Sequence, residues 1–185
     1  MPNTVLPKHG VTGGVSLSEE QVQKFFTFIK DKKPEIGKVF RAGKKVKDKE
    51  YRDVEIFSID EDQEDLYQIL NTVASMVNLY FRYDIDGIEK AQIMKYSAPS
   101  GGYNWHIDIG AEGIALNRKI GVSILLNDDY KGGEIMFRSG DKEEGIKPPT
   151  GNTVAFSSFI PHKVNPITKG ERYVLVAWFT GPPFK

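Results

Sequence analysis

The stretch of sequence that decides the fold reads Tyr96-Ser97-Ala98-Pro99-Ser100-Gly101-Gly102-Tyr103-Asn104-Trp105-His106-Ile107-Asp108. It ends in His-x-Asp, two side chains able to bind a metal. In an extended chain, residues i and i+2 point to the same face, so His106 and Asp108 can hold one ion. A third ligand is available far downstream in His162. Two histidines and one carboxylate on one side of an ion leave the remaining coordination positions open for chemistry.

The arginine that follows the third candidate ligand strengthens this interpretation, because His-x-Asp alone is common. Arg172 comes ten residues after His162 (172 − 162) and opens the apolar run from Tyr173 to Phe179. A guanidinium that enters a core strand needs an anion, since burying an unpaired charge costs several kcal/mol. That anion is either an Asp or Glu of the protein itself or a carboxylate of a bound small acid.

The bulk composition indicates one ordinary domain. The chain has 185 residues, 25 basic and 25 acidic side chains and no cysteine. Zero net charge gives no global attraction to nucleic acid or to an anionic membrane. The absence of cysteine excludes disulfides and thiolate-ligated zinc or iron–sulfur sites. The first ten residues lack the apolar core of a signal peptide, and the longest apolar run, Val174 to Phe179, is too short to cross a bilayer. We therefore expect a soluble protein, cytoplasmic or otherwise intracellular.

The N-terminal part reads as a loose leader over residues 1–17 and a helical and hairpin support over residues 18–84. Ser18 and Gln21 form a capping-box pattern, which predicts a helix that ends near Lys32-Lys33-Pro34. Strand-like runs at 38–41 and 52–59 flank a polar, basic stretch whose simplest reading is a solvated hairpin loop. A second helix is predicted after the acidic residues 60–62, and its core-facing stripe comprises Leu66, Ile69, Leu70, Val73, Val77 and Tyr80.

The rest of the chain is β-rich. Short strand-like runs recur between Gly, Pro and Asn-Asp turn signals, a pattern typical of an antiparallel sandwich or barrel. The predicted strands are 88–96, 119–126, 134–138, 153–156, 162–165 and 172–179. No linker divides the chain, so we predict a single domain over residues 1–185 with its β core at 85–181 and two amphipathic helices bracing one sheet.

Taken in order, these motifs resemble those of a known enzyme family. The matching segments are Gln92-x-x-x-Tyr96, Gly102-Tyr103-x-Trp105-His106-x-Asp108, Leu126-Asn127-Asp128 before Gly132-Gly133-Glu134, and His162-x-Val164-x-Pro166 before Gly170-x-Arg172 and Trp178. Over roughly residues 90 to 180, the chain resembles the 2-oxoglutarate- and Fe(II)-dependent dioxygenases of the prolyl 4-hydroxylase-like group. The resemblance implies a mainly β fold, a double-stranded β-helix or jelly roll.

The resemblance also implies the roles of the site residues. His106, Asp108 and His162 would hold Fe(II), and the co-substrate 2-oxoglutarate would be converted to succinate and CO2 while a C–H bond is hydroxylated. Arg172 would pair with the distal carboxylate of 2-oxoglutarate, and Tyr96 would hydrogen-bond the co-substrate; Tyr96 could instead be an ordinary strand tyrosine. Ascorbate would serve as a reductant.

The chain departs from some relatives at Leu125, where they carry a tyrosine that assists the arginine. Gly121, Ser123 and Leu125 share one face of the predicted strand, so Ser123 or Tyr96 is the substitute that we expect. The pocket walls implied by the resemblance are Ile135, Val164 and Trp178, each of which could equally be plain core.

The substrate implied by the resemblance is a prolyl residue in a peptide or protein. In this group, the loop between the first N-terminal strands folds over the substrate, so the basic stretch Ala42 to Arg52 gains a second reading as a mobile lid. Candidate substrate-side residues are Arg118, Tyr103, Trp105 and Arg52. Neutral charge argues against nucleic acid as a partner.

Three other functions use the same residues. An oxygenase of this superfamily could act on a small molecule or a nucleobase instead of a peptide. A zinc hydrolase could use the same three ligands, since catalytic zinc also keeps an open position, but it gives no role to Arg172. A jelly-roll binding module with a vestigial site is the third alternative, although all three ligand positions are intact.

Overall fold

The computed structural model of the protein describes residues 10–41, 44–48 and 51–184. Residues 1–9 of the expected leader and residues 42–43 and 49–50 of the expected lid lie outside the described residues. The described part contains helices α1 (Glu19–Ile29) and α2 (Glu64–Phe81) and a short 3-10 helix (Gly113–Asn117). No helix in these ranges has the length and apolar character needed to cross a membrane.

The main sheet has eight antiparallel strands. In chain order they are β1 (Val11–Ser16), β2 (Glu35–Ile36), β5 (Glu55–Ser58), β6 (Gly87–Ile88), β7 (Gln92–Ser97), β9 (Arg118–Leu125), β13 (Asn152–Ser157) and β16 (Glu171–Thr180). Their order across the sheet is β1-β13-β9-β16-β7-β5-β2, with β6 paired to the far end of β16. The strand β16 lies at the centre and is covered on both faces, with Leu175 and Phe179 in the cluster that contains the helices and Val174 and Trp178 in the cluster that faces the small sheet, which explains why its sequence is almost continuously apolar.

A smaller sheet of four strands faces the main one. Its order is β12 (Lys142–Ile146), β11 (Ile135–Ser139), β14 (His162–Val164) and β8 (Tyr103–His106). Buried clusters join the two sheets: Val164 packs with Met94 and Val174, and Phe137 packs with Phe156. Two short pairs complete the strands, β3 (Val39–Arg41) with β4 (Lys44–Val46) and β10 (Lys131–Gly132) with β15 (Ile167–Lys169). The predicted antiparallel sandwich is present.

Both helices cover the outer face of the main sheet, as predicted. Their buried side chains form one cluster with sheet residues such as Ile93, Ile124 and Leu175. The capping box of α1 is present, with Gln21 N–H donating to Ser18 Oγ at 3.2 Å and Ser18 N–H donating to Gln21 Oε1 at 2.9 Å. Because the helices fill this face, the opposite face of the main sheet is left to the small sheet and the cavity.

The structure corrects the expected start and stripe of the second helix. It begins at Glu64 rather than at the acidic residues 60–62. The carboxylate of Asp60 accepts hydrogen bonds from Lys32 and Lys90, both at 3.1 Å, instead of capping the helix. Tyr80 is 50% exposed and does not belong to the core-facing stripe, which ends at Val77.

Several short strands of the described residues were not predicted from the sequence, among them β2, β4, β8, β10 and β15, and the two longest of the unpredicted strands are β1 and β12. Residues 11–16 of the expected loose leader form β1, which pairs with β13, and Val11 is only 2% exposed. The glycines in this segment suggested a loop, but a register irregularity between Gly13 and Ser16 accommodates them in an edge strand. The polar segment Lys142–Ile146 forms β12, which pairs with β11 along its full length.

Candidate active site

The two candidate histidine ligands are direct neighbours across the small sheet. His162 on β14 stands opposite His106 on β8, and their ring centroids are 4.2 Å apart. The Nδ1 of His106 lies 2.7 Å from the carbonyl oxygen of Asn104, and the Nδ1 of His162 lies 2.9 Å from that of Ile160. A backbone carbonyl only accepts, so each Nδ1 carries the proton and each Nε2 keeps its lone pair for a metal.

Asp108 completes the group just beyond the end of β8. Its backbone N–H donates to the carbonyl of Ser158 at 2.8 Å, and the residue is 8% exposed. The Oδ1 of Asp108 lies 3.8 Å from Nε2 of His106 and 3.7 Å from Nε2 of His162. The potential ligand atoms of the three residues all lie within 4.8 Å of one another. The three side chains thus converge as the His-x-Asp spacing predicts.

Gly121 makes room for this carboxylate, a requirement that sequence reasoning missed. A Cβ at this position would stand 2.6 Å from Oδ2 of Asp108 and 2.8 Å from the ring of Phe156. Such distances are far below van der Waals contact, so any side chain here would displace the carboxylate or the ring. The sequence shows only that Gly121 shares a strand face with Ser123.

Burial keeps the His106 imidazole neutral. Burial and, to a lesser degree, repulsion from His162 lower the pKa of His106 from 6.5 to about 4, against the opposing attraction of Asp108. At neutral pH the site therefore offers one imidazole lone pair from a neutral ring beside a carboxylate, rather than a protonated histidine. Two imidazole nitrogens and one carboxylate oxygen on one side of a cavity fit Fe(II).

Arg172 lies in the same cavity without an anionic partner. It is 3% exposed, and its Nε and Nη1 have no hydrogen-bond partner. No carboxylate among the described residues forms an ion pair with it, which removes the alternative of an internal Asp or Glu there. A buried guanidinium left in this condition is costly, and a small dicarboxylic acid such as 2-oxoglutarate would satisfy it.

The cavity that holds these groups has a volume of about 180 Å³ and lies between the two sheets. The three ligand-capable residues and Arg172 line it, together with the following predicted positions: Tyr96, Ser123, Ile135, Val164, Trp178, Arg118, Tyr103 and Arg52. Leu125 is 1% exposed and is buried beside this cavity rather than lining it. Ser123, two residues earlier on the same strand, reaches the cavity.

Tyr96 stands directly opposite Arg172 in the pairing of β7 with β16. It is 1% exposed, its hydroxyl lies 3.8 Å from the sulfur of Met94, and its ring centroid is 5.4 Å from the Arg172 guanidinium carbon. Burial raises the pKa of Tyr96, so the phenol stays protonated and can donate a hydrogen bond. Gln92 at the start of β7 also lines the cavity, and its Oε1 has no partner.

The four candidate substrate-side residues occupy different environments. The Tyr103 ring stacks on His106 at 3.7 Å between centroids, and the Arg52 guanidinium lies 4.7 Å from the Tyr103 centroid. Arg118 lines the cavity, but Glu89 holds its guanidinium through two contacts of 2.5 Å. Trp105 is not part of the cavity wall.

Trp105 instead lies on the outer face of the small sheet. Arg138 and Lys163 lie over its ring, at 4.2 Å and 4.8 Å from the centroid. The alternation of side chains along β8 explains this placement, because Trp105 is adjacent to His106 in sequence and points to the other face.

Comparisons with known proteins agree with this geometry. A sequence model of the 2OG-Fe(II) oxygenase superfamily matches residues 91–180, the segment that carries the three candidate ligands and Arg172. A PKHD-type hydroxylase from Picosynechococcus is 35% identical over 82 residues, which cover 43% of this chain and 37% of that protein. Prolyl 3-hydroxylase 2 from Homo sapiens is 40% identical over 65 residues, covering 32% of this chain and 9% of that protein. The chain thus spans little more than a third of the length of the first relative and far less of the second.

Solved structures resemble the whole fold. A prolyl 4-hydroxylase from Pseudomonas putida superposes with a TM-score of 0.75 at 20% identity, covering 95% of this chain and 94% of that one. A prolyl hydroxylase from Trichoplax adhaerens, solved with a peptide fragment of hypoxia-inducible factor, gives a TM-score of 0.73 at 21% identity, covering 94% and 84%. At this identity the likeness establishes the fold, which confirms the expected double-stranded β-helix. Residues 91–180 are therefore similar in sequence to the 2OG-Fe(II) oxygenase superfamily, and the chain has the fold of the prolyl 4-hydroxylase on which it superposes.

Proposed function

We propose that this protein is an Fe(II)- and 2-oxoglutarate-dependent dioxygenase that hydroxylates an unactivated C–H bond in a prolyl residue of a peptide or protein. One observation carries the proposal: a His-Asp-His group and an unpaired, buried arginine share one cavity. The zinc-hydrolase alternative explains the first group and leaves the arginine without a role.

The protein's part in this reaction is to position two reactants. His106, Asp108 and His162 would hold Fe(II), and Arg172 would bind the distal carboxylate of 2-oxoglutarate, with Tyr96 beside it as a neutral hydrogen-bond donor. When bound, the iron and the keto acid supply the oxidising chemistry, in which O2 is consumed, succinate and CO2 are released and one oxygen atom enters the substrate. The carbonyls of Asn104 and Ile160 fix the orientation of the imidazoles throughout.

The wall of the cavity would keep water away from the reacting atoms. Ile135, Val164 and Trp178 are 4%, 9% and 7% exposed and surround the polar groups with apolar surface. In such surroundings the charge-assisted contacts of Arg172 are stronger than they would be in water. Each of these three residues also packs in the core, so their role in the cavity and their role in the fold coincide.

A prolyl substrate is supported by the relatives rather than by the cavity itself. The relatives that the chain matches include PKHD-type hydroxylases and a prolyl 3-hydroxylase, and one structural neighbour was solved with a peptide. The basic segment of residues 42–52 would act as a lid over such a peptide. A small-molecule substrate would also fit the fold, as the superfamily is broad.

The test begins with anaerobic titration of the protein with Fe(II) and 2-oxoglutarate, followed by O2 with ascorbate present as reductant. Succinate formation would support the dioxygenase and exclude the zinc hydrolase. Blocked proline-containing peptides and matched alanine peptides are then screened by mass spectrometry for the gain of one oxygen atom. Succinate without any modified peptide would leave the dioxygenase intact and reject the prolyl substrate.

A further inference from the structure

We propose that Arg52 is a specificity-determining residue that receives a carboxylate of the substrate, so that peptides with an acidic residue beside the oxidised residue are preferred. The inference rests on the proposed hydroxylase function and assigns a substrate class to the same cavity.

The backbone around Arg52 is fixed to the edge of the small sheet. Asn104 N–H donates to the carbonyl of Tyr51 at 2.9 Å, and Asp53 N–H donates to the carbonyl of Gly102 at 3.0 Å. These two bonds place the segment as an added strand beside β8, and Arg52 itself forms an isolated bridge with the strand. The side chain therefore enters the cavity from a held position, although the neighbouring segment belongs to the expected lid.

The guanidinium of Arg52 is only partly satisfied. Its Nη1 donates to the carbonyl of Lys38 at 3.1 Å, whereas its Nε is buried and has no partner. No carboxylate in the described part of the chain forms an ion pair with it. No hydrogen bond within the described residues occupies the edge formed by Nε and Nη2, and this edge of a guanidinium matches the two oxygens of a carboxylate.

The position of this free edge is close to the candidate metal ligands. The Arg52 guanidinium stacks over Tyr103, whose ring in turn stacks on His106. A carboxylate bound there would lie in the same cavity as the three candidate metal ligands. It would also be held by a cation that is already partly removed from water, where charge-assisted bonds discriminate well.

The other two arginines of the cavity are committed elsewhere. Arg118 donates from Nε and Nη2 to the carboxylate of Glu89, and from Nη1 to the carbonyl of Asp108 at 3.0 Å. The guanidinium of Arg118 also lies over the Trp178 ring, 4.0 Å from its centroid. Arg172 is required for the co-substrate under the proposed function. Among the arginines lining the cavity, Arg52 is the one whose charge is left for the substrate.

The test uses four blocked peptides in which the central residue is Pro or Ala and the following residue is Asp or Asn. Each is titrated calorimetrically into the full chain loaded with Mn(II) and 2-oxoglutarate, so that binding is read without turnover. We expect the Asp peptides to bind about tenfold or more tightly than their Asn partners, as a charge-assisted bond requires. The preference should disappear in Arg52→Gln and persist in Arg138→Gln, a surface control of equal charge change.

The outcomes separate the two proposals. An acidic preference in peptides whose Pro and Ala versions bind equally well supports the role of Arg52 and rejects proline as the target. A preference for Pro with no difference between Asp and Asn retains the prolyl substrate and overturns the role of Arg52. Weaker binding of 2-oxoglutarate to Arg52→Gln, by more than about threefold, would assign the residue to the co-substrate and also overturn the inference. A fifth peptide with a free C-terminal carboxylate and no Asp distinguishes a chain end from an acidic side chain as the anion.

Discussion

Replacing Arg172 by methionine should weaken co-substrate binding while stabilising the unliganded fold. The guanidinium is 3% exposed, and two of its nitrogens have no partner. Hydrogen bonds to a charged group contribute about 1.5–3 kcal/mol each, so the loss of two corresponds to about 3–6 kcal/mol, or roughly 10²- to 10⁴-fold in the dissociation constant for 2-oxoglutarate.

The same substitution removes an unpaired buried charge. Replacing such a group by an apolar side chain of similar length is neutral or stabilising by about 1–4 kcal/mol. Urea unfolding of the metal-free protein gives this free energy, and calorimetric titration of the Mn(II)-loaded protein gives the affinity for 2-oxoglutarate. The opposite signs of the two effects distinguish a ligand-binding arginine from a structural one.

Urea unfolding and titration with 2-oxoglutarate are also applied to two control variants. Arg138→Met removes a charge on the outer face of the small sheet and should leave 2-oxoglutarate affinity unchanged. Arg172→Lys retains the charge without the planar fork and should give intermediate affinity. If Arg172→Met lowered the free energy of unfolding by several kcal/mol and left 2-oxoglutarate affinity within about threefold, the assignment of this arginine to the co-substrate would be wrong.

Three further predictions concern the metal site and the N-terminal helix α1. Gly121→Ala should reduce Mn(II) affinity by about tenfold or more, because its Cβ would meet Asp108 Oδ2 at 2.6 Å; an unchanged calorimetric titration would contradict the close packing. In the metal-free protein, the pKa of His106 is lowered from 6.5 to about 4. Between pH 6.5 and about 4, the unfolded chain therefore binds a proton at His106 that the folded chain does not bind. The free energy of unfolding should fall as the pH falls through this range, and it should fall less steeply in His106→Gln. Ser18→Ala should lower the free energy of unfolding by about 1 kcal/mol through loss of the capping box, measured in urea, with Thr12→Ala as the control.

The local features of the sequence predicted most of the elements. The capping box at Ser18, the helical stripe from Leu66 to Val77 and the apolar strand that Arg172 opens are all patterns within a few residues. Each rests on a short-range rule, periodicity or a cap, that tertiary packing does not override here. The two-residue spacing of His106 and Asp108 belongs to the same class.

What the sequence did not reveal depends on partners distant in the chain. The glycine-containing segment at Val11 becomes a strand only because β13 offers an open edge to it. The commitment of Arg118 follows from Glu89, which is 29 positions away (118 − 89) and carries no sequence signal of pairing. The need for Gly121 arises from Asp108 and Phe156, which come from two other segments. These are properties of the assembled sheets and are invisible to a local pattern.

Because His106 and His162 stand opposite each other on paired strands, the distance between these two ligands depends on the register of β14 against β8. Sliding β14 by one position would turn Lys163 inward and carry the imidazole outward, since side chains alternate along a strand. The cation–aromatic packing of Lys163 on Trp105 opposes such a slip from the outside of the sheet. Packing on the outer face of the small sheet thus helps to hold β14 in register with β8. Because the register sets the separation of the two histidines, the chain between them can vary in length without altering it.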